Sequence, residues 1–235
     1  MQRSFILKKV LFLLIVLLAG GFSSAWAETV SVEHFAMSPS VTGTSGFINN
    51  PSAYVLKNGM LGLGLHNYLL KINYGLFDVV EIGLKFDLET TSVVLDILKH
   101  GSFNCKAAFL DEKYYFVSVA AGVIGVPVNL FEKIPEKSIN AYISVSKNIY
   151  DMNITAGYVM NKNMPFFVDF SKVINDTVLY VLEYDGNGYN TGFRISLNYN
   201  INIEAFVSGL EYMGKIKDFG GFLKERFIFG ITYTQ

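Results

Sequence analysis

Between Thr177 and Ser208 the chain repeats with a period of two residues, and this constrains the fold more than any other feature. Val178, Tyr180, Leu182 and Tyr184 alternate with Leu179, Val181 and Glu183. After the turn signal Asp185-Gly186-Asn187-Gly188, Phe193, Ile195 and Leu197 alternate with Gly192, Arg194 and Ser196. After Asn198-Tyr199-Asn200, Ile201, Ile203, Ala205 and Val207 alternate with Asn202, Glu204, Phe206 and Ser208. Successive side chains of a strand point to opposite faces, so these runs are antiparallel strands with one apolar face and one mixed, polar face.

Such a sheet has two homes. A soluble sandwich covers the apolar face with a second sheet. A membrane barrel turns it to lipid and keeps the polar face in the lumen. Glu183, Arg194 and Glu204 fall on the polar face of three successive strands. A three-residue loop at 198–200 would set Arg194 opposite Glu204, with Glu183 in diagonal reach.

The remainder of the chain favours the barrel. It is 51% hydrophobic and only 17% charged, against about a quarter charged in soluble domains. No apolar run of helix-spanning length follows the N-terminal segment. The same alternation recurs in Met60–Asn67, Leu70–Gly75, Val80–Asp87, Ser102–Leu110, Lys113–Ile124, Ile139–Lys147, Asp151–Met160, Phe166–Lys172 and Lys224–Gln235, giving about twelve strands. One face is read as free of charge throughout, the other as holding nearly all of it. The long connections, 88–101, 125–138 and 209–223, are the third, fifth and eleventh, whereas the even-numbered ones are short. Long loops on one side and short turns on the other is the habit of membrane barrels. Gly230 and Tyr233 fit a terminal barrel strand, although Gln235 stands where an aromatic residue is expected.

The N-terminus reads as a secretory signal peptide: Arg3, Lys8 and Lys9, an apolar core over Val10–Leu18, and a small-x-small site at Ala25-Trp26-Ala27. Residues 28–58, dense in Ser, Thr, Gly, Asn and Pro, read as an irregular periplasmic lead-in. Cys105 is the single cysteine and falls on an apolar face, so no internal disulfide is expected.

The segment Gly46-Phe47-Ile48-Asn49-Asn50-Pro51-Ser52-Ala53, Asn58-Gly59 before the first strand, and Glu81-Ile82-Gly83 resemble the opening of YjbH-like outer-membrane barrel proteins. Leu182–Gly186 and Tyr189–Gly192 look like the same family. The resemblance implies an outer-membrane barrel associated with export or remodelling of extracellular polysaccharide.

No catalytic signature emerges. His34, His66 and His100 are not spaced as metal ligands. His100 and Ser102 lack a third member for a lipase-like site. Glu81 and Glu183 could pair for glycoside hydrolysis, but Lys71, Lys85 and Arg194 nearby favour salt bridges in a lumen. Gly62-Leu63-Gly64 lies in a strand, so no phosphate loop is implied.

The expectation is therefore an all-β, transmembrane, antiparallel up-and-down barrel of about twelve strands over 59–235, preceded by a signal peptide (1–27) and the lead-in (28–58). Its lumen-facing charges are Lys71, Glu81, Lys85, Lys106, Asp169, Glu183, Arg194, Glu204 and Arg226. No enzymatic activity, cofactor or metal is expected. The expected location is the bacterial outer membrane, with outer-membrane lipid and the barrel-assembly machinery as partners and polysaccharide as a candidate. A net charge of −1 gives no reason to expect nucleic acid. The leading function is envelope or exopolysaccharide export, as a narrow conduit. The alternatives are a structural or adhesive barrel with a filled lumen, acting through its surface loops, and a barrel enzyme acting on lipid or glycan.

Overall fold

A computed structural model describes residues 31–89, 101–128, 139–160, 165–215 and 225–235. The expected signal peptide, His100 and much of the three long connections lie outside the described residues.

Twelve strands follow one another around a closed antiparallel barrel: β1 (Leu61–His66), β2 (Leu69–Leu76), β3 (Val80–Asp87), β4 (Ser102–Leu110), β5 (Ser118–Pro127), β6 (Asn140–Ile149), β7 (Met152–Val159), β8 (Phe166–Ile174), β9 (Val178–Tyr184), β10 (Tyr189–Asn198), β11 (Ile201–Ser208) and β12 (Phe227–Thr234). β12 closes on β1, pairing Leu63 with Tyr233 and Leu65 with Ile231. Closure leaves no open sheet edge, so every strand has two partners. All neighbours are sequential, so odd-numbered connections share one rim and even-numbered ones the other; these are called the odd and even rims below.

Short even-rim turns are closed by residues that tolerate left-handed backbone. Asn175 and Asp176 (φ 53° and 58°) join β8 to β9, and Asp78 (φ 61°) helps join β2 to β3. β5 begins at Ser118, five residues later than the alternation alone placed it, because 112–117 form the turn that carries exposed Tyr114, Tyr115 and Phe116.

The apolar face points outward. Ile143, Val145, Ile154, Val168, Leu182, Phe193, Ile195 and Leu197 are all exposed. Aromatic pairs brace neighbouring strands, among them Tyr180–Phe193 with ring centroids 5.4 Å apart. Two lysines depart from the charge-free face. Lys147 and Lys172 share the outward side of β6 and β8, in the even-rim part of each strand. A long aliphatic stem lets an ammonium lie over apolar surface and reach water at a rim, and Lys147 does so above Phe116, 4.8 Å from its ring centre.

The main departure from expectation concerns the lead-in. Residues 31–58 do not precede the barrel as a separate stretch; they fill its lumen. A short helix, α1 (Val32–Ala36), is capped by Ser31 Oγ, which accepts from His34 N at 3.2 Å. Beyond it the chain has no regular structure apart from isolated bridges, Pro39 with Ser45 and Gly46 with Pro51. The physical reason lies in its apolar residues. Phe35, Phe47, Ile48 and Leu56 are fully buried, packed with Leu179, Val181 and Phe206 from the inner face of β9 and β11. Each such side chain contributes about 1.5–3 kcal/mol on leaving water.

Candidate functional site

The plug, residues 31–58, is a re-entrant loop. Its start lies at the even rim, where His34 Nε2 donates to the Tyr199 carbonyl at 2.6 Å in the β10–β11 turn. Its tip reaches the odd rim, where Asn49 Nδ2 donates to Asp185 Oδ2 at 3.0 Å in the β9–β10 turn. Its end returns to the even rim, and Asn58 N donates to Asp78 Oδ1 at 2.7 Å just before β1.

Buried charges on the wall hold this backbone in place. Glu183 accepts from three successive main-chain N–H groups, those of Ile48 (3.1 Å), Asn49 (2.9 Å) and Asn50 (3.1 Å). A charged acceptor on several amides makes each bond stronger than a neutral one. Arg194 supplies the opposite polarity, donating to the carbonyls of Phe35, Gly46 (3.2 Å) and Phe47 (3.1 Å). Glu81 accepts from Ser45 N (2.8 Å), Ser45 Oγ (2.6 Å) and Leu56 N (3.2 Å). Lys106, with Nζ 3.7 Å from Glu81, donates to the carbonyls of Ser45 (3.0 Å) and Ser52 (3.4 Å). An irregular buried segment leaves its amides and carbonyls unpaired unless side chains meet them, and here the wall does so.

A second network stays within the wall. Glu204 lies 2.8 Å from Arg194 Nε and accepts from His66 Nε2 (2.6 Å) and Thr232 Oγ1 (3.0 Å). The far nitrogen of the same imidazole, Nδ1, accepts from Lys71. Asp169, directly across from Glu183 in the β8–β9 register, accepts from Asn50 Nδ2 at 2.6 Å.

Eight of the nine charges named from sequence thus line the lumen. Lys71, Glu81, Lys106, Asp169, Glu183, Arg194 and Glu204 are buried there, and Lys85, on the inner face of β3, is half-buried beside Gly43. Arg226 does not belong with them. β12 begins at Phe227, and Arg226 stacks at the odd rim over Tyr212, 4.7 Å from the ring centre. The expected diagonal contact between Glu183 and Arg194 is also absent. Arg194 does face Glu204, but its β9 partner is Leu179, and Glu183 lies opposite Asn190. Glu81 and Glu183 stand on opposite walls, on β3 and β9, with the plug between them. Among the described residues, no three His, Cys, Asp or Glu side chains are grouped to hold a metal.

At the even rim the plug leaves a cavity of about 820 Å³ against the β4–β5 turn and the end of β6. Tyr54 and Glu112 are among the residues that line it. The Tyr54 hydroxyl accepts from Asn153 Nδ2 at 2.8 Å and donates to Glu112 Oε1 at 3.4 Å. Burial, with Glu112 and Glu33 nearby, pushes the Tyr54 phenol far above its ordinary range. Burial likewise raises the Glu33 carboxyl, against an opposing effect of Lys57. It lowers the His34 imidazole, against the bond to Tyr199.

The plug escaped sequence reasoning, although a signal was present. Leu179, Val181, Phe206 and Ile228 fall on the face that carries most of the polar and charged residues. Large apolar side chains on a lumen face require an apolar partner, and Phe35, Phe47, Ile48 and Leu56 are the ones available.

No family profile matches the chain, and no curated protein does. Among solved structures it is similar to KdgM porin, at 12% identity and a TM-score of 0.43, over 74% of this chain and 96% of that one. Engineered variants of the Rhodopseudomonas blastica porin also match. One does so at 12% identity and TM-score 0.34, over 71% of this chain and 55% of that porin. Another matches at 12% and 0.36, over 91% and 71%. These are distant likenesses to porin barrels.

Proposed function

We propose that this chain is a porin-like barrel of the bacterial outer membrane, delivered there by its signal peptide, with a lumen closed by its own N-terminal segment: a gated conduit in its closed form. The observation that carries the reading is the contrast between the two faces of one closed sheet. Outside is a belt of exposed aliphatic and aromatic side chains, suited to lipid. Inside are buried ions that meet the plug through hydrogen bonds and that water could solvate equally well. A purely structural barrel would be filled more cheaply by apolar residues, since a buried ion recovers its desolvation cost only with complete pairing. The YjbH-like resemblance is what supports a role for such a conduit in export or remodelling of extracellular polysaccharide; the barrel-assembly machinery and outer-membrane lipid are the proposed partners.

Fractionation and gel mobility, boiled against unboiled, test the barrel. Planar-bilayer recording tests the gate. The wild-type protein is expected to be silent, and Phe35→Ala with Phe47→Ala, which loosens the plug and leaves every wall residue intact, is expected to conduct. A folded, heat-modifiable barrel that stays silent with a loosened plug would instead mark a structural barrel acting through its loops.

A further inference from the structure

Among the described strand residues, Lys147 on β6 and Lys172 on β8 are the only charged side chains that point outward. Both are cations, and each is third from the even-rim end of its strand. Only β7 stands between them, pairing Ile154 with Lys147 and Met152 with Lys172. Strands lie about 4.8 Å apart and rise about 3.4 Å per residue, so two strand spacings and a two-residue stagger put the two Cα atoms roughly 12 Å apart. Two lysine side chains close that gap around a group the size of a phosphate.

The protein itself does little to satisfy either ammonium. Lys172 is exposed, and its ammonium has no hydrogen bond or ion pair among the described residues. Asp151 lies in the adjoining turn, where its carbonyl accepts from Val173 N at 2.9 Å, yet its carboxylate forms no ion pair with Lys172. Lys147 approaches Glu112 at 4.0 Å, in a pair open to solvent, an arrangement that contributes little. A lysine on a lipid-facing wall costs stability according to its depth, so an unpaired one calls for an anion. The surroundings are ordered by depth as a phospholipid is. Toward the middle of the barrel, Ile143, Val145 and Val168 offer exposed aliphatic surface, and toward the rim Tyr150 is 96% exposed in the β6–β7 turn. The even rim carries the short turns, which face the periplasm in membrane barrels. The leaflet on that side of a bacterial outer membrane is made of phospholipids, some of them anionic.

We propose that Lys147 and Lys172 form a site on the outer wall for the phosphate of an anionic phospholipid of the periplasmic leaflet. The headgroup lies across Met152 and Ile154, and the acyl chains run along Ile143, Val145 and Val168. Basic side chains at a membrane surface attract anionic lipid in this way. The inference rests on the outer-membrane barrel reading and is independent of the gate.

The test uses the delipidated full chain in mild detergent, titrated with dimyristoyl-phosphatidylglycerol and with zwitterionic dimyristoyl-phosphatidylcholine, bound lipid being counted by native mass spectrometry. Each basic group near a lipid surface is worth roughly a fivefold factor. With Lys147 partly engaged by Glu112, the wild type is expected to favour phosphatidylglycerol by about tenfold. Lys147→Gln with Lys172→Gln should bind both lipids equally. Lys172→Arg should keep the preference, and so should Lys113→Gln, which removes a lysine from the nearby turn. A preference that survives in the double variant, or that Lys113→Gln removes as well, overturns the site. Displacement of the lipid by excess inorganic phosphate overturns it in favour of a free anion. A wild-type oligomer that the double variant dissociates, with no lipid preference in either, overturns it in favour of an acidic group on a second copy. A protein without heat-modifiable mobility overturns the barrel itself, whereas equal binding of both lipids by a heat-modifiable wild type overturns the lipid site alone.

Discussion

At the scale of single residues, the plug depends on a few wall charges. Arg194 is fully buried and serves three plug carbonyls as well as Glu204. Arg194→Ala strands those acceptors and leaves Glu204 with less positive charge, a loss of about 3–5 kcal/mol in the seated form. Faster amide hydrogen exchange at Phe47–Asn50 would register it, and unchanged exchange would count against the tether. His34 makes seating sensitive to pH. Burial holds its imidazole below the ordinary value, with Arg194 and Lys57 acting the same way. Above about pH 6.5 the ring is neutral whether the plug is seated or displaced. As pH falls through that value the displaced ring binds a proton that the seated ring refuses, so seating weakens until the seated value is reached. Glu33, raised by burial, acts in the opposite sense, but it is shared by the wild type and His34→Gln. The expected result is that wild-type plug exchange, corrected for intrinsic rate, accelerates more than that of His34→Gln between about pH 7.5 and 5.5.

At the scale of elements, the two faces of one strand do different work. On β9, Leu179 is buried against the plug while Leu182 is 39% exposed on the outer wall. Leu179→Ala should leave a cavity and cost about 2–5 kcal/mol, whereas Leu182→Ala in detergent should cost much less. Urea midpoints of the two variants would show whether the inner face is a packed core. β2 carries a related constraint. A Cβ on Gly75 would lie 2.1 Å from the Lys57 carbonyl oxygen and 2.4 Å from that of Leu56. Gly75→Ala therefore has to displace the returning end of the plug. Gly59→Ala meets nothing within 4 Å and bears only the strain of a left-handed backbone at φ +81°, about 1–2 kcal/mol. Protease sensitivity near 55–60 should rise in Gly75→Ala and stay near wild type in Gly59→Ala.

At the scale of the molecule, the strand ladder closes without any contribution from the plug. Every strand pairs with its two neighbours, and the plug adds no strand to the ladder. Both ends of the plug leave through the even rim, so it can move without threading. An apolar cluster of Phe35, Phe47, Ile48 and Leu56 with Leu179, Val181 and Phe206 holds it on one side. On the other side the wall fills its own space. Phe167, Tyr142, Val159 and Ile124 form a second buried cluster, for which Gly157 leaves room for the Phe167 ring. Plug-loosened protein should therefore keep its heat-modifiable mobility while changing its conductance. Loss of that mobility shift on loosening the plug would show that plug and wall fold as one unit.

By itself the sequence determined the strands, their count, their sequential order and which face of each is apolar, because a period of two is a local property that needs no knowledge of neighbours. It placed Arg194 opposite Glu204 for the same reason, through the short turn between β10 and β11. It could not place residues 31–58, whose composition reads as an exposed linker whether the segment hangs outside or fills a lumen. It also misplaced Glu183 relative to Arg194, since register across β9–β10 follows from loop length and sheet closure together. Only the tertiary structure decided these points. Closing twelve strands creates an interior, and an interior lined by Leu179, Val181, Phe206 and buried ions is stable only when something meets both its apolar surface and its hydrogen bonds.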